Sequence, residues 1–466
     1  MAQRHTWART FDATYCMKSK LIIAANRLPV SVVETAEGLR VTHNFGGLAT
    51  ALSDLVQTQP AAWVGYLGSK EFDKKELVAH GMSDRLEPIT VADDLYEKYY
   101  NRVANGGLWP VLHGFAPQDI YGSADWQANL AVNDHFVQKI VALAEPDDII
   151  WVHDFHLMML PKLLRRAGLK NRIGYFLHVP FARAAEFAQL PHHRDMLESL
   201  QSADLCGFQT ERDVRRFREA CNQLLGPADT KPKAKAFPIG IDYETHNNAL
   251  VQPAIAAHKR ELDAKFAGKT VIFSLSRLDY TKGIVEQLRA FGILLEKHAH
   301  LLGNVVYKLL VSPSREALTA YQEIKAATEQ AVQEINARFG TAQWQPVDYD
   351  YRNMEFEEKT GWFARADIML VAPLIDGMNL VAKEYVASHQ NDEGVLVLSK
   401  NAGAAAAMRQ ALLVDPTRPQ NIARALEKAM AMPLDERRKR FASLREHVRT
   451  ATVVAWSQSF CDTLRA

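Results

Sequence analysis

The chain has 466 residues, 48% of them hydrophobic and 23% charged, the balance of a globular enzyme. This length exceeds one compact core and fits two domains. Lys plus Arg number 55 against 54 for Asp plus Glu, a net charge of +1, which argues against nucleic acid or an anionic membrane as the main partner.

Residues 1–16 are polar and aromatic, lack the apolar core of a signal peptide and read as an extension, with Met17 as an alternative start. No apolar run is long enough to span a bilayer. Cys16, Cys206, Cys221 and Cys461 form no CxxC pair, which suits reduced thiols in a cytoplasm. Short apolar strands are predicted at Leu21–Ala25, Asp148–Val152, Ile173–Leu177, Val271–Leu275, Val305–Val311, Ile368–Ala372 and Val395–Ser399, with helical stretches between them. That alternation implies parallel sheets covered by helices. The expectation is an α/β protein of two doubly wound domains, 17–241 and 242–449. Pro238 and Gly240 interrupt the pattern at the junction, and Gly240 is a hinge candidate. The run Ala402–Ala407 reads as one helical turn. Segment Val453–Leu464 is amphipathic, and residues 450–466 are expected to pack back on the first domain.

In α/β sheets, ligands bind beyond the carboxyl ends of strands. Asn26 and Arg27 close the first strand, and Phe45-Gly46-Gly47-Leu48 reads as a glycine turn into a helix. Trp63, Tyr99, Tyr100 and Trp109 lie near polar segments, where aromatics can stack on sugars, although most aromatics are core. Asp154 and His178 follow two further strands. His153 and His156 have no third ligand at metal spacing, so no metal is expected. The strand Val271–Ser276 leads into Arg277 and Lys282, which can hold phosphate oxygens. Arg315 follows the next strand.

The stretch Leu374-Ile375-Asp376-Gly377-Met378-Asn379-Leu380 runs from a strand through a tight turn into a helix over Leu380–Ser388. Such a turn aims free N–H groups and a helix dipole at an anion. Asp376 and Glu384 can each take a hydroxyl. The sequence contains no GxSxG elbow, P-loop or GxGxxG, which argues away from hydrolase, NTPase and dehydrogenase readings.

From Leu21 to its end the chain resembles the trehalose-6-phosphate synthases, retaining glycosyltransferases of family 20. The likeness rests on Asn26-Arg27-Leu28-Pro29, Gly46-Gly47-Leu48, Leu108-Trp109-Pro110, Trp151-Val152-His153-Asp154, Phe176-Leu177-His178, Arg277-Leu278-Asp279-Tyr280-Thr281-Lys282-Gly283 and Asp376-Gly377-Met378-Asn379-Leu380-Val381, in that order. The resemblance implies the GT-B fold, two Rossmann-like domains facing a central cleft. It implies a UDP-glucose donor held by Gly46, Gly47, Arg277, Lys282, Met378, Asn379, Leu380 and Glu384. It implies a glucose 6-phosphate acceptor held by Arg27, Trp63, Tyr100, Trp109, Asp154 and Arg315. Arg277, Lys282, Asp376, His178 and Asp154 would carry the chemistry, with no metal or cofactor. The product would be α,α-trehalose 6-phosphate plus UDP, made by a cytoplasmic enzyme that family members suggest is a dimer or tetramer.

Phe155 stands where the family usually has Tyr, Ile375 where it has Arg, and Ser276 where it has an acidic residue. These positions keep open another phosphorylated acceptor, as in a glucosylglycerol-phosphate synthase or a pseudo-glycosyltransferase. A non-catalytic sugar-phosphate sensor is a further alternative.

Overall fold

The computed structural model describes residues 19–35, 38–43, 52, 56, 60–68, 74–117, 120–226, 233–316 and 318–466. In the first half the strands are β1 (Leu21–Arg27), β2 (Val30–Thr35), β3 (Gly38–His43), β4 (Ala61–Gly68), β5 (Leu86–Thr90), β6 (Ile149–His153), β7 (Arg172–Phe176), β8 (Leu205–Phe208) and β9 (Lys233–Ala236). In the second they are β10 (Thr270–Arg277), β11 (Val305–Ser312), β12 (Val347–Tyr351), β13 (Ile368–Val371), β14 (Val395–Ser399) and β15 (Leu412–Val414). The strands the sequence predicts are all present, with ends moved by one or two residues.

Seven strands form a parallel sheet in the order β5-β4-β1-β6-β7-β8-β9, and six form another in the order β12-β11-β10-β13-β14-β15. β2 and β3 pair separately as an antiparallel hairpin. Every residue of β6, β13 and β14 is buried. Helices cover both faces, so neither side of the sheet needs polar residues, and the strands read as unbroken apolar runs. The chain is therefore an α/β protein of two doubly wound parallel-sheet units, the GT-B arrangement. In each sheet the winding direction reverses beside the first strand, between β1 and β6 and between β10 and β13. Such switch points open a crevice for ligands.

The last helix, Val453–Arg465, packs against the first sheet although it ends the chain. Gly174 of β7 makes this possible: a Cβ there would lie 2.6 Å from Phe460 Cε1. Phe460 stacks on Trp151 with ring centroids 4.5 Å apart. The crossing passes Gly240, where a Cβ would come within 2.0 Å of the Ala451 carbonyl oxygen, and Val453 N donates to Ile241 O at 3.1 Å.

Tyr99, Tyr100 and Trp109 are helical. They lie on one continuous helical segment, in which Asp93–Glu97 opens into wide π turns over Lys98–Leu108 before Trp109–Leu112. Buried Asn105 donates from Nδ2 to Tyr100 O at 2.8 Å, occupying a carbonyl within those turns. The run at Ala402–Ala407 is a 3-10 turn over Gly403–Ala406. Residues 1–18 lie outside the described residues. Among the described residues no helix is long and apolar enough to cross a membrane.

Candidate active site

At the end of β1, Arg27 donates from Nε to Tyr96 Oη at 3.2 Å, and its guanidinium carbon stands 4.9 Å from the Tyr100 ring centroid. Tyr100 stacks in turn on His156, with centroids 5.7 Å apart and planes 8° off parallel. Burial alone would raise the Tyr100 phenol, but Arg27, Arg315 and Arg277 together bring it below its ordinary value. Three guanidinium groups from distant parts of the chain thus converge on one hydroxyl. Such an arrangement suits an anion.

Asp154, just past β6, has φ 71°. Its backbone N–H donates to Phe176 O at 2.7 Å, and its Oδ1 accepts from the His178 backbone N–H at 3.3 Å. The left-handed turn costs a non-glycine residue about 1–3 kcal/mol and persists only where its surroundings over-determine it. Burial pushes the Asp154 carboxyl up to about 6, opposed by backbone N–H groups and by Arg277 and Arg315. His178 is held neutral by burial, down to about 3. Its Nε2 lies 3.0 Å from His153 Nδ1.

On the facing wall, Asp279 is fully buried. Its Oδ2 accepts from Tyr321 Oη at 2.9 Å and from Arg315 Nη1 at 3.3 Å, and its Oδ1 accepts from the Thr281 N–H at 2.9 Å. Asp279 therefore pairs with Arg315, not with Arg277 or Lys282 beside it in sequence. Arg315 itself has φ 48° and stacks on Trp109, with its guanidinium carbon 4.1 Å from the ring centroid. Arg277 stands 5.8 Å from the same ring.

Lys282 donates from Nζ to Asp376 Oδ2 at 2.8 Å, and Asn379 Nδ2 reaches the same oxygen at 3.0 Å. Burial would raise the Asp376 carboxyl, but Lys282 and its neighbours outweigh it and hold the group below its ordinary value. Asn379, at φ 71°, caps the helix Leu380–Ser388 by accepting from the Ala382 N–H at 3.4 Å. The first N–H groups of that helix, at Leu380 and Val381, have no partner within it. Glu384 on the same helix pairs with Lys359 at 2.9 Å. The turn lies against the first half of the chain: a Cβ on Gly377 would sit 2.0 Å from the His178 carbonyl oxygen.

The structure thus gathers Arg27, Tyr100, Trp109, Asp154, Arg277 and Arg315 into one region, with Lys282, Asp376 and the capped turn beside it. It does not bring Trp63 there. Trp63 lies inside β4, 1% exposed within the apolar core, so its ring has no free face for a ligand. Gly46 and Gly47 lie outside the described residues. Sequence reading missed Tyr96, Tyr321 and Lys359, weighed His156 only as a metal ligand, and gave Asp279 no role. No spacing rule links these residues, because their partners lie many residues away.

A model of glycosyltransferase family 20 matches residues 19–466. An alpha,alpha-trehalose-phosphate synthase (UDP-forming) 2 of Aspergillus fumigatus is 35% identical over 464 residues, covering 96% of this chain and 97% of that protein. An E. coli structure bound with UDP-2-fluoro glucose superposes with a TM-score of 0.86 at 31% identity, covering 96% of this chain and 99% of that one. A Burkholderia xenovorans alpha,alpha-trehalose-phosphate synthase (UDP-forming) in complex with glucose-6-phosphate gives a TM-score of 0.85 at 32% identity, covering 96% of this chain and 100% of that one. With its two parallel-sheet units, its cluster of arginines and this match over residues 19–466, the chain belongs to glycosyltransferase family 20 and is a hexosyltransferase.

Proposed function

We propose that the protein moves glucose from UDP-glucose to glucose 6-phosphate with retention at the anomeric carbon, giving α,α-trehalose 6-phosphate and UDP. The approach of Arg27 to Tyr100 and of Arg277 and Arg315 to Trp109 carries this reading, since three guanidinium groups gathered there would hold a phosphate dianion near a turn that suits a diphosphate. The UDP-forming names of its relatives, and the UDP-sugar and glucose-6-phosphate bound by the solved ones, support the same pair of substrates.

The reaction breaks the bond from the anomeric carbon to the diphosphate oxygen. The electron pair leaves with UDP while an oxocarbenium-like sugar forms. Arg277, Lys282 and the open N–H groups at Leu380 and Val381 face that developing charge, and preorganised charge of this kind is commonly the largest catalytic contribution. The acceptor hydroxyl closes the new bond from the same face and passes its proton to a leaving phosphate oxygen. Asp376 is fixed by Lys282 and Asn379, which suits it to orient a sugar hydroxyl. His178, neutral and tied to His153, offers a hydrogen bond without adding a cation beside the oxocarbenium. Asp154 lies near the acceptor cluster and would hold an acceptor hydroxyl. Glu384 would hold the donor ribose.

Phe155 is 1% exposed and packs on His156, with ring centroids 3.9 Å apart. Its ring also lies 5.7 Å from that of Trp109, beside the arginine cluster, so the acceptor is tested directly. The test is UDP release with glucose 6-phosphate, with glycerol 3-phosphate and with no acceptor, each with UDP-, ADP- and GDP-glucose. Release with UDP-glucose that requires glucose 6-phosphate supports the reading. Equal or faster release with glycerol 3-phosphate overturns the acceptor, and release only from another nucleotide sugar overturns the donor.

A further inference from the structure

The small-residue run at Ala402–Ala407 supplies no side chain to the glycosyl-transfer site, although Met378 of the donor turn also lines the space beside it. It forms the floor of a cavity of about 870 Å³ at the far edge of the cleft, where the loops after β8 and β9 meet those after β14. The acceptor cluster stands at the end of β11, three strands from β14 in the sheet order, or about 14 Å at the usual strand spacing.

The cavity wall is cationic. Arg212, Lys383, Lys400 and Arg409 line it with His447 and one acidic side chain among the described residues, Glu211; Lys400 pairs with Asp415 at 2.8 Å and Arg409 Nε donates to Ala406 O at 3.3 Å. Lys383 is 1% exposed and donates from Nζ to a single carbonyl, Ile239 O, at 2.5 Å. An ammonium has three donors, so a lysine this buried with one backbone acceptor is short of partners. Arg212 Nε is buried with no hydrogen-bond partner and faces Asp213 Oδ1 at 3.9 Å, while the rest of its side chain is partly exposed. The same wall holds the start of the helix Glu211–Leu224, capped by Thr210, whose first N–H groups have no partner within the helix. Buried donors, a helix N-terminus and mobile-length cations around one cavity describe an anion site. The volume exceeds what a lone phosphate needs, and the alanine floor suits a carbon body.

We propose that this cavity is a second anion site, taking the phosphate group of a small phosphorylated molecule, separate from the cluster around Tyr100. Its floor is tied to the donor turn: Ala404 N donates to Met378 O at 3.0 Å and Gly403 N to Asp376 O at 3.3 Å.

The test is calorimetric titration of the full chain with inorganic phosphate and, separately, with glucose 6-phosphate. Arg27→Ala/Arg315→Ala weakens the acceptor cluster, so binding that survives belongs elsewhere. Arg212→Ala/Arg409→Ala strips cations from the cavity, and Arg409→Glu alone reverses one exposed charge there. We expect a binding event that persists in the first variant and loses at least tenfold in affinity in each of the other two. Glucose 6-phosphate binding at this event more tightly than inorganic phosphate assigns an ester, and equal affinity assigns the free anion. Binding that disappears in Arg27→Ala/Arg315→Ala, or is unchanged in both cavity variants, overturns the proposal.

Discussion

The Arg315 guanidinium carbon stands over the Trp109 indole, 4.1 Å from its centroid, and its Nη1 reaches Asp279 at 3.3 Å. Trp109 belongs to the half of the chain that carries the first sheet, and Arg315 and Asp279 to the half that carries the second. A guanidinium suits this position because it can stack on one group while forking onto another. The arginine cluster is therefore complete only while the two halves are together.

Arg315→Lys keeps the charge beside Asp279 but loses the flat face and the fork. A lost hydrogen bond to a charged group is worth about 1.5–3 kcal/mol, so kcat/KM for the sugar phosphate should fall about ten- to hundredfold. Steady-state kinetics with the acceptor varied would show it. An unchanged kcat/KM would remove Arg315 from the acceptor site.

Removing either cation near the donor should act on the chemical step. For Arg277→Ala and Lys282→Ala we expect a loss of about 2.7–4 kcal/mol of transition-state stabilisation, or about 10²–10³ in kcat. Lys282→Ala also leaves Asp376 buried without its ammonium, so this variant should lose stability as well, whereas Arg277, exposed at its strand end, should not. Single-turnover UDP release beside a urea melt separates the two effects.

The pH profile should carry the mark of Asp154. Its carboxyl is raised to about 6, so it is ionised above that value and neutral below it. If its charged form accepts the acceptor hydroxyl, activity is present at higher pH and falls as pH drops through about 6. The second ionisation of a phosphate monoester also lies near 6. Asp154→Asn is the control, leaving only the limb due to substrate. An Asn variant with full activity and the same limb would exclude this role.

Gly377→Ala should disturb the contact between the halves. The added methyl would meet the His178 carbonyl oxygen at 2.0 Å, and a backbone atom cannot turn aside as a side chain can. Overpacking of this kind costs about 1–3 kcal/mol, and kcat should fall with it because Asp376 is the adjacent residue. Urea denaturation that matches the unsubstituted chain would refute the close approach.

Much of this was legible in the sequence. The strands announce themselves because a sheet buried on both faces must be apolar throughout, and residues at strand ends such as Arg27, Arg277 and Asp376 follow from that. The pairing Asp279–Arg315 was hidden because the partners lie 36 residues apart and the nearer cations Arg277 and Lys282 are equally plausible by charge. The wide turns over Lys98–Leu108 have no period that distinguishes them from an ordinary helix or a loop. Trp63 misled because a strand aromatic near a polar segment reads the same whether it faces ligand or core, and here it faces the core.

Phe460 fills the hollow over Gly174 and Gly207 in the first sheet, yet it follows Gly207 by 253 residues. On the ribosome, the first half emerges with that hollow open and waits until the second sheet has been made. Its folding cannot be completed domain by domain, and a nascent chain stalled within the second half would display an unfilled apolar groove to chaperones.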